Sequence, residues 1–295
     1  MTRTNMSPQV EHLMELLEFG SNNIFMVQGR KAAHIRTLHH LGVWLKRQGD
    51  FGKGFFTPAE LIEKLGYTVK VVGSAFSFAM SENSDGSATV YTGLTTEDLG
   101  GGTTPCRNVA SGEWEPDRQS EVKGAAIQAM RETLLGTTVR EMREETAVEA
   151  NPEQMKFVGV ALVLKPEHKT IYVVHYYFYA MTVEEMDSAI AAMKKRRSLP
   201  EDQWNPEEDF ETYGLVRRNL LDLDLPRMFR QRNEDAKIDG LPVAHRKDRV
   251  LLRLLYKHAR PLYQQLMQNS KADPHDLVEI DELLSGKRWE KKNAS

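Results

Sequence analysis

The chain has 295 residues, of which 40% are hydrophobic and 27% charged, and its formal net charge at pH 7 is −3. That length allows one elaborated domain or a domain with a sizeable appendage, and the composition is that of a globular protein. The small net charge gives no overall attraction to nucleic acid, and the single cysteine, Cys106, excludes an internal disulfide and a cysteine-rich metal cluster. No apolar run is long enough to cross a bilayer and the first residues lack the apolar stretch of a secretory signal, so we expect a cytoplasmic protein without a membrane partner.

The N-terminal part of the chain, residues 1–67, is predicted to be a helical extension. Over residues 8–66, apolar side chains recur at three- and four-residue spacing, which is the period of a helix with one buried face. The last of these helices has end signals of its own. Thr57 suits its N-cap, Glu60 places an acid in its first turn, and Gly66 is a suitable stop.

A β-hairpin and a long loop are predicted next. Residues 68–80 shift towards a period of two and are followed by turn residues and a second strand-like run at 88–91. Residues 95–120 are rich in Gly, Thr, Ser and Pro, which predicts a loop. The three glycines at 100–102 are interpreted as part of that loop rather than as a phosphate cradle, because no lysine-serine signature accompanies them.

A second hairpin follows farther along the chain. Residues 155–164 and 170–181 are two runs rich in apolar, β-branched and aromatic side chains, separated by five polar or proline residues. His175 lies inside the second run, and we interpret it as a hydrogen-bonded core histidine.

Helical spacing then returns. Residues 182–198 are predicted to form a helix that ends in Lys194-Lys195-Arg196-Arg197. We interpret this end as solvated, with cations near the C-terminal dipole, in preference to the alternative of a phosphate-binding patch. Residues 249–268 are a further amphipathic stretch within a helical C-terminal extension, residues 226–295. Because that stretch is more apolar than a lone exposed helix should be, we expect it to pack on the preceding domain or on a second subunit, which leaves a homodimer open.

The most informative segment is a predicted helix over residues 132–145. Glu141, Glu144 and Glu145 fall at positions i, i+3 and i+4, so their side chains share one face. Like charges at this spacing repel, and a hard divalent cation relieves the repulsion because it prefers oxygen ligands. The alternative is a solvated, charge-rich helix whose acids are neutralised by Arg140 and Arg143. The spacing alone leaves both open.

This segment resembles the Nudix box, G-x5-E-x7-R-E-U-x-E-E-x-G-U, in which U is a bulky aliphatic residue. The positions that match in register are Glu132, Arg140, Glu141, Met142, Glu144, Glu145 and Val148. The resemblance implies an α/β fold, the Nudix α/β/α sandwich with a mixed β-sheet, over residues 68–225. Two box glycines are replaced, by Ala126 and Ala147, which puts the loop geometry at those two points in question.

The resemblance also implies a reaction, the metal-dependent hydrolysis of a phosphoanhydride in a nucleoside diphosphate linked to another group. Mg²⁺ or Mn²⁺ is the implied cofactor. Glu144 and Glu145 are the implied main metal ligands, and Glu141 is a further ligand or the base. The predicted catalytic set is Glu141, Glu145 and Arg140, with Arg140 and the supporting Glu132 orienting helix and loop through a charge pair.

Family members often add one acid from a loop after the second hairpin. Here Glu207, Glu208 and Glu211 are candidates, with an exposed acidic turn as the equal alternative. The predicted partner is a nucleotide-type small molecule, and nucleic acid is not expected. Two other functions stay open, a Nudix-like sensor or transcription regulator and a binding module without turnover. Neither the leaving group of the substrate nor the role of the two extensions follows from the sequence.

Overall fold

The computed structural model describes residues 6–18, 24–27, 35, 37–80, 88–98, 103–108, 111–117, 133–200, 203, 212–219, 237–238 and 241–242. The chain divides into two compact units. The first unit comprises Met1–Gly73, Gly112–Thr137 and Gly159–Tyr176, and the second comprises Ser74–Ser111, Thr138–Val158 and Tyr177–Ser295. The domain bounds expected from the sequence, at residues 67 and 225, stay a prediction.

The chain is mixed α/β, as predicted. Its helices are α1 (Pro8–Glu18), α2 (Leu38–Lys46), α3 (Pro58–Leu65), α4 (Leu134–Thr146) and α5 (Val183–Ser198). Its strands are β1 (Ile24–Val27), β2 (Thr68–Met80), β3 (Ala88–Asp98), β4 (Thr103–Asn108), β5 (Ser111–Glu113), β6 (Met155–Lys165), β7 (Thr170–Met181), β8 (Thr212–Asn219), β9 (Lys237–Ile238) and β10 (Leu241–Pro242). Because β1 pairs with β6 in parallel and β3 pairs antiparallel with β2, the predicted mixed sheet is confirmed.

In the first unit, the hydrogen-bonded strand order is β1-β6-β7-β2, and β5 also pairs with β2. The predicted helix start at Thr57 is confirmed, because its hydroxyl accepts from the Glu60 N–H and the Glu60 carboxylate accepts from the Thr57 N–H. Gly66 ends α3 with φ +68°, a left-handed conformation that glycine adopts without strain. The prediction of an entirely helical segment over 8–66 is wrong at β1, whose four apolar residues find their partners in β6.

The helices of the first unit share one hydrophobic core with its strands. The buried members from the helices are Leu13, Leu17, Leu41, Leu45, Leu61 and Ile62, and those from the strands are Val69, Val71, Val160, Leu162, Ile171 and Val173. Burying this apolar surface supplies the main stabilisation of the unit. The predicted core histidine is confirmed here: His175 of β7 is 7% exposed, and its Nε2 lies 2.9 Å from Nε2 of His12 on α1.

In the second unit, β3 pairs antiparallel with β2, β4 and β8. The first predicted hairpin is therefore confirmed. The loop predicted over 95–120 is wrong in part, because β3 continues to Asp98 and the segment also contains β4 and β5. Threonines in β4 suit a strand, and Pro105 is tolerated because β4 is the last strand in the described order.

The second unit has its own core beneath two helices. Its buried members are Ala75, Met142, Val148, Ala150, Tyr179, Met181, Met186, Ala189 and Met193, so α4 and α5 contribute to the same cluster. The helix predicted over 182–198 is confirmed as α5. Of the predicted C-terminal extension, β9 and β10 form a two-stranded pair, while residues 249–268 lie outside the described ranges.

Candidate functional site

The acid-bearing segment is a helix, as the sequence predicts. Thr133 sits just before α4, and its hydroxyl oxygen accepts a hydrogen bond from the Gly136 N–H at 3.0 Å. This is the usual way to satisfy one of the donors that have no partner inside a helix start. Helix α4 then runs to Thr146 and carries Glu141, Glu144 and Glu145 in its second half.

The charged residues of α4 are buried. Glu141 and Glu144 are each 8% exposed, Glu145 is 6% exposed, and Arg140 is 8% exposed. Met142, between them in sequence, is 1% exposed and belongs to the core of the second unit. A solvated helix face does not match this burial, because charges removed from water need compensation by neighbouring groups.

Arg140 supplies part of that compensation. Its Nη1 lies 2.6 Å from Oε1 of Glu141 and 2.8 Å from Oε2 of Glu144, so one guanidinium serves two carboxylates. Arg143 is farther away, with Nη2 4.0 Å from Oε1 of Glu144. The Arg140–Glu132 charge pair implied by the sequence stays a prediction, because Glu132 lies outside the described residues.

Glu145 has a different neighbour. The backbone N–H of Ser111, the first residue of β5, donates to Oε2 of Glu145 at 3.3 Å. The sequence offered no sign of this contact, because Ser111 lies within the segment predicted to be a loop. The third carboxylate is thus tied to the backbone of a strand, whereas the other two are tied to Arg140.

Helix α4 ends at the position where the box normally has glycine. Ala147 has φ +55°, a left-handed conformation that costs an L-residue about 1–2 kcal/mol. Its N–H donates to the Arg143 carbonyl at 3.0 Å, as in an αL helix end. The chain therefore leaves the helix as a glycine would allow, with alanine in a strained conformation. Ala126 lies outside the described residues.

A residue from α5 also reaches this end of α4. Arg196 donates from Nη1 to the Glu144 carbonyl at 2.8 Å and from Nη2 to the Arg143 carbonyl at 3.4 Å. Its predicted place at a solvated end of its own helix is therefore wrong. The available signal was its position three residues after Met193, which continues the buried stripe of α5.

The donor set suits a hard divalent cation, since three carboxylates on one helix face offer only oxygen ligands. Among the described residues, however, no three His, Cys, Asp or Glu side chains are gathered as a ready metal-binding group. Glu141 and Glu144 instead share Arg140. The further candidates Glu207, Glu208 and Glu211 lie outside the described residues. The metal site therefore stays a proposal.

No family model matches the chain, and no curated protein matches its sequence. Among solved structures, a MutT/nudix family protein from Enterococcus faecalis is 10% identical, with 62% of this chain and 51% of that chain covered and a TM-score of 0.31. The chain thus spans about half the length of that protein. A NUDIX hydrolase from Nitrosomonas europaea is 11% identical, with 66% and 90% covered and a TM-score of 0.36.

Shewanella oneidensis NrtR is also similar, at 13% identity, with 73% of this chain and 77% of that chain covered and a TM-score of 0.39. Its NUDIX domain was solved in complex with ADP ribose. These proteins are described as Nudix proteins or as containing a NUDIX domain, and the segment 126–148 of this chain resembles the Nudix box. At such identities and TM-scores the likeness supports no statement about function. Any inference about function must therefore be based on the residues of α4. In the described part of the chain, no helix combines the length and hydropathy needed to span a membrane.

Proposed function

We propose that this chain is a Nudix-type, metal-dependent hydrolase that cleaves a phosphoanhydride in a nucleoside diphosphate linked to another group. The observation that carries the proposal is the burial of Glu141, Glu144 and Glu145 on one face of α4. Burying three carboxylates within five residues is costly and is unusual in a helix that only packs. The same residues occupy the acidic positions of the box, which argues for function rather than chance.

Charge balance supports a cation at this face. Residues 140–145 contain three glutamates and two arginines, so the segment has a formal charge of −1 even with both arginines counted. Arg140 already contacts two of the acids, while Arg143 is at the edge of ion-pair distance. A divalent cation held mainly by Glu144 and Glu145 would add the positive charge that this arrangement favours.

In this proposal each residue has a separate task. Bound Mg²⁺ or Mn²⁺ would neutralise charge on the phosphoryl oxygens and lower the pKa of the attacking water. Glu141 would accept the proton of that water, or act as a further ligand. Arg140 would hold the carboxylates in place before the substrate arrives, and the Ser111 N–H would fix one oxygen of Glu145.

The experiment is a hydrolysis screen with Mg²⁺ or Mn²⁺ against nucleotide sugars, ADP-ribose, dinucleotides, nucleoside triphosphates and capped RNA. The wild-type chain should release nucleotide or phosphate from at least one of them only when metal is present. Calorimetry should show Mn²⁺ binding that is lost in a Glu144→Gln, Glu145→Gln double variant. Glu149→Gln is the matched control, since Glu149 is exposed just beyond the helix. Equal Mn²⁺ affinity for the wild type and the double variant would overturn the proposal.

A further inference from the structure

Arg196 joins the last turn of the acid-bearing helix to a neighbouring helix. Its two guanidinium nitrogens donate to the carbonyls of Arg143 and Glu144, at 3.4 and 2.8 Å. These carbonyls belong to the last turn of α4, where side chains often supply hydrogen bonds to the backbone acceptors, and the Arg143 carbonyl also accepts from the Ala147 N–H. A cation at this end also interacts favourably with the helix dipole.

Helix α5, which carries Arg196, is held in place by packing of its buried face. Met186, Ala189 and Met193 are each less than 5% exposed and lie on one face of α5, in the same core as Met142 of α4. Arg196 follows Met193 by three residues and therefore extends that face. Its Nη1 also lies 3.8 Å from the Met193 sulfur. The guanidinium thus reaches α4 from a helix that shares a buried core with α4.

The two carbonyls that Arg196 binds belong to a helical turn that is followed by a strained residue, Ala147. Glu144 and Glu145 are the last acids of α4, and Ala147 leaves the helix in a left-handed conformation that alanine adopts under strain. Because of that strain, the turn should unwind more easily than one that ends in glycine, even with the Ala147 N–H bonded to the Arg143 carbonyl. The hydrogen bonds from Arg196 to the carbonyls of Arg143 and Glu144 oppose that unwinding in the turn that carries Glu144 and Glu145.

We propose that Arg196 is a positioning residue for the carboxylates of Glu144 and Glu145, acting through the backbone of the last turn of α4. This inference rests on the function proposed above. Arg196 would not touch metal or substrate. It would set the direction from which the two carboxylates leave the helix, as outer groups do for the ligands they support.

The test compares Arg196→Met with Lys195→Met, which removes an exposed cation from the same turn of α5. For each, kcat, KM, Mn²⁺ affinity and the melting temperature of the metal-free protein are measured. Arg196→Met should lower kcat and Mn²⁺ affinity by about tenfold with little change in KM, since losing an outer support typically costs about 10–100-fold. Lys195→Met should match the wild type. Arg196→Lys should recover part of the loss, because an ammonium can still donate to one carbonyl.

The outcomes separate the two proposals. A wild type without metal-dependent turnover would overturn the proposed function, and the role of Arg196 with it. A wild type that turns over substrate, with Arg196→Met equal to Lys195→Met in kcat and Mn²⁺ affinity, would overturn the role of Arg196 alone. A loss in melting temperature without those changes would also overturn it, since Arg196 would then serve stability only. If Arg196→Met does not fold, Arg196→Gln keeps a donor without the charge and is judged by the same measurements.

Discussion

Nη1 of Arg140 lies 2.8 Å from Oε2 of Glu144, one helical turn later, and both side chains are about nine-tenths buried. The same nitrogen lies 2.6 Å from Oε1 of Glu141. A single guanidinium therefore neutralises part of the charge of two acids that like-charge repulsion would otherwise push apart. This arrangement explains how a helix with three neighbouring acids stays folded.

Arg140→Met should destabilise the protein by about 3 kcal/mol, because breaking a buried pair leaves carboxylates without that counter-charge. Arg143→Met is the control, since its side chain is 36% exposed and lies 4.0 Å from Glu144. It should cost less than about 1 kcal/mol, as partly exposed ion pairs do. Urea denaturation of both variants measures the difference. Equal midpoints for the two would show that the buried pair does not hold the helix.

Glu145→Gln should remove activity while leaving the fold stable. The side-chain carbonyl of glutamine can still accept the Ser111 N–H, so the contact at 3.3 Å is retained, and one of three neighbouring negative charges disappears. On a substrate that the wild type hydrolyses, we expect kcat to fall by about 100-fold or more, within the range for lost catalytic groups. The melting temperature of the metal-free protein should stay within about 2 °C of the wild type.

A Glu149→Gln variant provides the comparison for that experiment, because it makes the same chemical change at an exposed position. It should retain wild-type activity. Retention of most of the activity by Glu145→Gln would mean that this helix is not the catalytic one.

Ala147→Gly should stabilise the protein. The left-handed φ of +55° is strained for alanine and free of strain for glycine, while the greater freedom of glycine in the unfolded chain offsets part of the gain. The net increase in the free energy of unfolding should be about 0.5 kcal/mol. Ala150→Gly, at a buried position without a left-handed φ, should instead destabilise. A decrease in stability for Ala147→Gly would contradict the helix end described above.

The His12–His175 pair should make stability depend on pH. Burial, with a smaller contribution from His12, lowers the pKa of His175 to about 3, from 6.5. Burial also lowers the pKa of His12, against the opposing charge of Glu15. Between pH 6.5 and about 3, the unfolded chain binds a proton at residue 175 that the folded chain does not. The contribution of His175 to the free energy of unfolding is therefore fully present above pH 6.5. It is lost as the pH falls, by about 1.4 kcal/mol per pH unit for one proton.

The free energy of unfolding, measured between pH 7.5 and 4.5, tests this expectation. His175→Phe should show a shallower decline than the wild type, because residue 175 no longer binds a proton on unfolding. His39→Phe, at an exposed position on α2, should decline as the wild type does. Parallel declines for all three proteins would remove the pair as the cause.

The features that the sequence predicted well are those encoded over a few neighbouring residues. The capping residues Thr57 and Glu60, the period of α5, and the pairing of β2 with β3 are all local in this sense. The spacing of the acids on α4 belongs with them, because a helix places residues three and four apart on one face whatever its surroundings. The box placed Ala147 at a helix end but left a strained alanine and a different exit both open, and the structure shows the strained one.

Contacts between segments that are distant in sequence could not be predicted from local patterns. A four-residue apolar run such as β1 fits a helix or a strand equally well, and only its pairing with β6 resolves the choice. Arg196 looked like an ordinary basic helix end until the packing of α5 brought it to the carbonyls of α4. Ser111 at Glu145 and His12 at His175 likewise join residues 34 and 163 positions apart. Such pairs depend on how hydrophobic faces bury one another, which a local pattern of residues does not encode.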